Sequence, residues 1–243
     1  MSETVSLDLG DSDKKARRKK REDFGTKTEA HVRYRTKDGA IVPGSTTILG
    51  VLDKPALVAW ANRMGLEGID TRKHTDEAKA IGTLTHYLVE CDMRGVEPDL
   101  KDFTPAQIER SSFSIQTWTR FKQGKELKPI LIEGRLVSES HRFGGTVDWY
   151  GLLNGKRTLI DLKTSAGIYL EHKAQTASYV KVLRENEYPV DQAIVLRLGR
   201  TEEDAKEPIE NMIHILSSRE ARVCWEIFEH AHAIYDLKKQ VGR

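Results

Sequence analysis

Cysteine is nearly missing from this chain: Cys91 and Cys224 are the two present in 243 residues. Two thiols do not make a disulfide framework, and their scarcity points to a reducing compartment. No apolar run approaches the ~20 residues that a membrane-spanning helix needs. The opening MSETVSLDLGDSD is acidic where a secretory signal would be apolar. Neither GxxxxGK[ST], HExxH nor a CxxC pair occurs, so nucleotide-driven and zinc chemistries of those types have no motif to rest on. What remains is the expectation of a soluble, cytoplasmic protein. Hydrophobic content of 38% and charged content of 31% allow one sizeable core with a wide polar surface.

The net charge of +2 hides an asymmetry. Residues 14–21, KKARRKKR, carry seven positive charges, so the rest of the chain is net acidic. Glu3, Asp8, Asp11 and Asp13 precede the run, which leaves the body beyond it close to neutral. Such a tail can add phosphate contacts, serve as a localisation signal, or simply be a solvated terminus. Residues 1–27 are poor in large apolar groups and are expected to be disordered.

From His31 to Ile41 the sequence alternates around Asp38-Gly39, as a hairpin does. After Pro43-Gly44 a short helix is expected, then a second starting near Pro55. Longer helices are expected over Thr75–Met93 and Thr104–Gln123. The middle then changes character. Pro129–Glu139, Gly145–Leu153 and Arg157–Lys163 read as consecutive strands, the last two joined at Asn154-Gly155. A helix over Ile168–Asn186, a strand over Asp191–Leu198, a fifth strand over Asn211–Leu216 and a closing helix over Ser218–Lys238 complete the order. On that last helix Val223, Cys224, Ile227, Phe228, Ala231 and Ile234 form the expected apolar stripe. The pattern predicts an α/β fold: a mixed sheet flanked by helices over 126–243, preceded by a mostly helical portion over 28–125.

The chemistry-bearing residues lie on the strand pair. Gly144-Gly145-Thr146-Val147-Asp148 puts a carboxylate on one strand, and Leu159-Ile160-Asp161-Leu162-Lys163-Thr164 follows on its hairpin partner. Alternation places Asp161 and Lys163 on one face, about 7 Å apart along the strand, with Ile160 and Leu162 turned into the core. Carboxylates on such a sheet are costly to bury unless paired or metal-bound. Two hard oxygen ligands suit Mg²⁺ or Mn²⁺, which can acidify water and neutralise charge on a scissile phosphate, with Lys163 assisting. A single D-x-K is far more often an ion pair on a strand edge. Here the helix that follows also carries Gln175 and Tyr179, four apart and on one helical face.

Taken together, Gly145-Thr146-Val147-Asp148, Asp161-Leu162-Lys163-Thr164 and Gln175-x-x-x-Tyr179 resemble the PD-(D/E)XK nuclease superfamily, in its RecB-type exonuclease branch. The upstream Gly82-Thr83-Leu84-Thr85-His86 resembles the G-x-x-x-H helix of that branch. The similarity covers roughly Gly82 to Tyr179. It implies a restriction-endonuclease-like core. It also implies a metal shell of His86, Asp148, Asp161 and the Leu162 main chain. Lys163 would be catalytic, and Gln175 and Tyr179 would orient the helix or the DNA backbone. Gly82, one turn before His86, would let its helix lie close to the sheet.

Two cysteines cannot supply the four that anchor an iron–sulfur cluster in some relatives, so none is expected. Glu133 and Glu90 are candidates for supporting carboxylates or plain surface residues. Trp60 and Trp118 have core spacing, with stacking on unpaired bases as a competing use. His31, His74, His141, His172 and His214 show no comparable pattern.

The implied function is a Mg²⁺- or Mn²⁺-dependent DNA exonuclease of recombination, repair or replication, bacterial or phage-encoded. DNA is its expected partner, with a recombination or single-strand-binding protein beside it. Two alternatives stand: an inert DNA-binding module of the same fold, and a metal-dependent hydrolase of small phosphate esters.

Overall fold

The computed structural model describes residues 33–242. The expected disorder of 1–27 and the start of the predicted hairpin lie outside them. Residues 33–98 and those from 103 onward form one compact unit. The intervening 99–102 belong to a separate unit and form a turn in which Asp99 accepts the Lys101 amide (3.2 Å).

A two-stranded hairpin, β1 (Tyr34–Arg35) and β2 (Ile41–Val42), turns through Gly39, whose φ of +84° favours glycine. Four helices follow: α1 (Ser45–Leu49), α2 (Pro55–Leu66), α3 (Thr71–Arg94) and α4 (Pro105–Lys122). Asp70 caps α3 by accepting the Arg72 and Lys73 amides, and Thr104 with Gln107 closes a capping box on α4. The α2 helix has no buried residue, and Leu57, Val58 and Leu66 are exposed.

The sheet has five strands in the order β3-β4-β5-β6-β7: β3 (Leu127–Ser138), β4 (Phe143–Leu153), β5 (Lys156–Lys163), β6 (Gln192–Arg197) and β7 (Ile213–Ile215). The first three form an antiparallel meander. Its second turn uses Asn154 and Gly155, both at positive φ, which matches strand twist in a two-residue hairpin. Strand β6 runs parallel to β5, so the chain must cross over between them. Helix α5 (Leu170–Glu185) makes that crossover. A short helix α6 (Glu202–Lys206), which the sequence pattern did not suggest, and a 3₁₀ turn at Ile209–Met212 lead to β7. Helix α7 (Ser218–Val241) ends the described chain.

This is a mixed α/β fold with helices flanking a mixed sheet, as expected. Two cores sandwich the sheet. One joins Phe143, Val147, Leu159 and Val195 to residues of α1, α5 and α7; the other joins Trp149, Ile160, Leu162 and Leu196 to Val89, Trp118 and Phe121. Trp118 is therefore a core residue and not a stacking surface. The stripe expected on α7 needs correction: Val223 and Ile234 are exposed, while Trp225 joins Cys224, Phe228 and Ala231 in the core. The rows actually buried follow i, i+1, i+4 and i+7, a narrower face rotated from the one expected.

Candidate active site

Strand β5 sits in the middle of the sheet, with antiparallel β4 on one side and parallel β6 on the other. Its alternation sends Ile160 and Leu162 into one core and leaves Asp161 facing α5. Asp161 is 1% exposed, and both of its oxygens are engaged. Lys163 Nζ lies 2.8 Å from Oδ1 and 2.7 Å from Oδ2, and the Thr176 hydroxyl of α5 donates to Oδ2 at 3.1 Å. The same-face placement of Asp161 and Lys163 is thus realised as a close ion pair.

Asp148 lies on β4 where pairing with β5 ends: the last paired residues are Trp149 and Ile160. Its Oδ2 accepts the Leu162 amide at 2.7 Å, and its Oδ1 lies 3.4 Å from His86 Nδ1. His86 comes from α3, and Glu133 of β3 lies 3.9 Å from the same nitrogen. Donor atoms of His86, Glu133 and Asp148 all lie within 4.8 Å of one another. Helix α3 comes close to the sheet at Gly82: a Cβ there would lie 2.9 Å from Thr164 Oγ1.

Glu133 adopts φ +51° in the middle of a strand, a left-handed conformation disfavoured for a residue with a Cβ. Its neighbourhood is braced, since Arg94 donates to the Ile132 carbonyl (2.9 Å) while its Nε pairs with buried Glu90 (2.6 Å). Glu133 therefore belongs to the cluster itself and is no surface residue. Glu90 is the buried partner of Arg94 behind it.

On α5, Gln175 Nε2 donates to the Tyr179 hydroxyl (2.7 Å) and to Thr46 Oγ1 (3.0 Å). Tyr179 packs under Gly145, where a Cβ would sit 2.4 Å from its ring. One cavity of about 400 Å³ gathers these groups: His86, Asp148, Asp161, Leu162, Lys163, Gln175 and Tyr179 all line it. Every residue expected to be catalytic or a metal ligand is in that lining; Glu133 and Glu90 are not. It also contains Thr146, Thr164, Ser165 and His172. His172, set aside in the sequence for want of a motif, lies three residues before Gln175 and so shares its helical face.

The electrostatics are those of crowded acids. Burial raises Asp161 to about 6, against the opposing effect of Lys163, and burial also raises Glu133. Burial works against a charged His86, yet the Asp148 and Glu133 carboxylates override it and raise the imidazole to about 10. The same imidazolium holds Asp148 below its ordinary range despite burial. A protonated histidine thus sits where negative potential converges. The donor set fits a divalent cation: hard carboxylate oxygens, one imidazole nitrogen, and a surplus of negative charge that such an ion would offset. His86 would bind one only after losing its proton.

Among the described residues no helix is long and apolar enough to cross a membrane. No protein-family model matches the chain, and no curated protein does. Solved structures of an alkaline exonuclease from Laribacter hongkongensis are similar at 11% identity and a TM-score of 0.30. One covers 67% of this chain and 86% of its own; the other, in complex with dAMP, covers 83% and 93%.

Proposed function

We propose that this chain is a metal-dependent deoxyribonuclease that hydrolyses phosphodiester bonds, an exonuclease of the PD-(D/E)XK type in its RecB-type branch. It would act in the cytoplasm during recombination, repair or replication. One observation carries the reading: Asp148, Asp161 and Lys163 converge from two neighbouring strands on a cavity that also receives His86 from α3. Three carboxylates, a lysine and a histidine are an expensive set to bury for stability alone.

In this reading His86, Asp148, Asp161 and the Leu162 main chain hold Mg²⁺ or Mn²⁺, with Glu133 added from the structure. Such an ion would supply Lewis acidity, acidifying water and offsetting charge on the phosphate. Lys163 does the remaining work on the protein side. Its ammonium, held by Asp161, is placed to orient the attacking water and to stabilise negative charge developing on the phosphorus oxygens. Thr176 donates a second hydrogen bond to the Asp161 carboxylate and helps hold its orientation. Gln175, bonded to both Tyr179 and Thr46, locks α5 against α1 and steadies the cavity wall. No iron–sulfur cluster takes part; residues 28–243 act as one nuclease domain, and the basic tail adds phosphate contacts.

The test is a time course on 5′- and 3′-labelled single- and double-stranded DNA, with Mn²⁺ and with EDTA, beside Asp161→Ala. Metal-dependent release of label by the wild type alone supports the reading, and the labelled end gives the polarity. Binding without cleavage under every condition would replace it with an inert module. Cleavage of a generic phosphate ester in place of DNA would replace it with a small-ester hydrolase.

A further inference from the structure

His172 stands on the first turn of α5 and lines the same cavity as Asp161 and Lys163. Its two ring nitrogens have different surroundings. Nδ1 accepts the Tyr169 main-chain N–H at 3.2 Å, the part that Glu or Gln plays at the third position of a capping box. A ring nitrogen that accepts an N–H carries no proton of its own, so the neutral ring holds its proton on Nε2. Edge-to-face packing with Tyr169, at 5.3 Å between centroids, holds the ring in that orientation. Burial first, and Lys163 after it, lower the imidazole to about 4, so the ring is uncharged at neutral pH.

Each of the other nitrogen-bearing side chains of the cavity has at least one acceptor. His86 faces Asp148 and Glu133, Lys163 faces Asp161, and Gln175 donates to Thr46 and Tyr179. The Nε2–H of His172 has no acceptor among the described residues. A donor fixed in one tautomer, without charge, in a cavity of acids suits a ligand that offers only acceptors. A phosphodiester, with two non-bridging oxygens and no proton, is such a ligand.

We propose that His172, held as the Nε2–H tautomer by the Tyr169 amide, donates a hydrogen bond to a phosphate oxygen of the nucleotide strand bound in the cavity. This rests on the phosphodiesterase reading above and adds a substrate-binding residue to it. The competing role, a helix cap and nothing more, uses Nδ1 alone, so the two roles separate by nitrogen.

His172→Glu keeps an acceptor for the Tyr169 amide, as in an ordinary capping box, and has no N–H to donate. With Mn²⁺ and a DNA substrate, the variant should melt as the wild type does and raise KM about tenfold, with kcat little changed, because the contact is made equally in the ground and transition states. Long-range ¹H–¹⁵N spectra of the metal-free wild type provide a second readout that needs no turnover. The His172 ring signals, assigned by their loss in the variant, should report an unprotonated Nδ1. They should shift on addition of thymidine 5′-monophosphate and stay in place with thymidine. An unchanged KM, or ring signals that ignore the nucleotide, would overturn the proposal; so would a response to inorganic phosphate with none to the nucleotide. A chain that cuts no DNA but shows the nucleotide shift keeps the phosphate contact and loses the nuclease reading. Cleavage without the shift does the reverse.

Discussion

The main-chain amide of Leu162 gives its hydrogen to Oδ2 of Asp148, 2.7 Å away across the β4–β5 boundary. Where the two main chains stop pairing, after Trp149 and Ile160, a carboxylate takes over as the acceptor. Asp148 thus has one oxygen committed to the sheet and the other turned toward His86.

That division separates architecture from chemistry. Asp148→Asn keeps an acceptor for the Leu162 amide and loses the charge; Asp148→Ala leaves the amide unpaired in a buried position. Both variants should lack cleavage. The alanine form should also be less stable than the asparagine form by about 1–3 kcal/mol, the cost of an orphaned buried N–H. Urea unfolding of the pair, beside cleavage of labelled DNA, checks this. Equal stability would mean that the amide finds another acceptor.

Glu133 sets strain against binding. Replacing it by glycine removes the left-handed penalty at φ +51°, about 1–2 kcal/mol, and with it one carboxylate of the cluster. Glu133→Gly should therefore raise the urea midpoint while lowering Mn²⁺ affinity roughly 10- to 100-fold, the usual range for a supporting group at a metal. Calorimetric titration with Mn²⁺ measures the second effect. A variant that gains stability and binds Mn²⁺ as tightly as before would remove Glu133 from the site.

Gly82 is needed for proximity and not for its backbone freedom. A methyl group there meets Thr164 Oγ1 at 2.9 Å, just past the Asp161–Lys163 strand. Gly82→Ala should lower cleavage by displacing that segment, even though alanine favours the helix by about 1 kcal/mol. The double variant Gly82→Ala/Thr164→Ala, which removes the obstructing oxygen, should recover most of the lost rate. No recovery would place the defect elsewhere on α3.

The pH dependence of folding has a contribution from His172. Burial and Lys163 lower its pKa from 6.5 to about 4, with Lys54 acting in the same direction and Glu171 against it. A histidine with a depressed folded value favours the native state fully above its unfolded pKa. That contribution is lost as pH falls from about 6.5 through about 4, because the unfolded chain takes up the proton first. Urea midpoints at pH 7 and pH 4.5 should fall further in the wild type than in His172→Gln, which has no imidazole to protonate. Parallel losses in the two proteins would contradict the assigned shift.

Most of the sheet and the Asp161–Lys163 pair were legible in advance from period-two alternation, while His86 came from the family resemblance and Gln175 and Tyr179 from helical spacing together with it. Alternation puts Asp161 and Lys163 on one face, and Asn154-Gly155 set the hairpin that brings Asp148 beside them. The missing pieces depend on features without a sequence signature. Glu133 enters the cluster through a left-handed residue inside a strand, which alternation does not anticipate. His172 belongs to the site because Tyr169 claims one of its nitrogens, a pairing visible only once the first turn of α5 is built. On α7 the polar-looking position of Trp225 proved to be core while Val223 and Ile234 face outward, since the helix's neighbours, not its composition, decide which face is covered.

The central place of β5 has a consequence for how damage to this protein should be interpreted. Residues Asp161–Lys163 are laddered to Val195–Arg197 of β6, with an apolar core on either side of the sheet. Their amides should exchange with deuterium only when the whole molecule opens, whereas α2, which buries no residue, can open at little cost. Strand β5 should thus be among the last parts to come apart. If the proposed nuclease function holds, a preparation that still unfolds in one sharp step yet does not cut DNA should have lost a functional group or an ion, and not its fold.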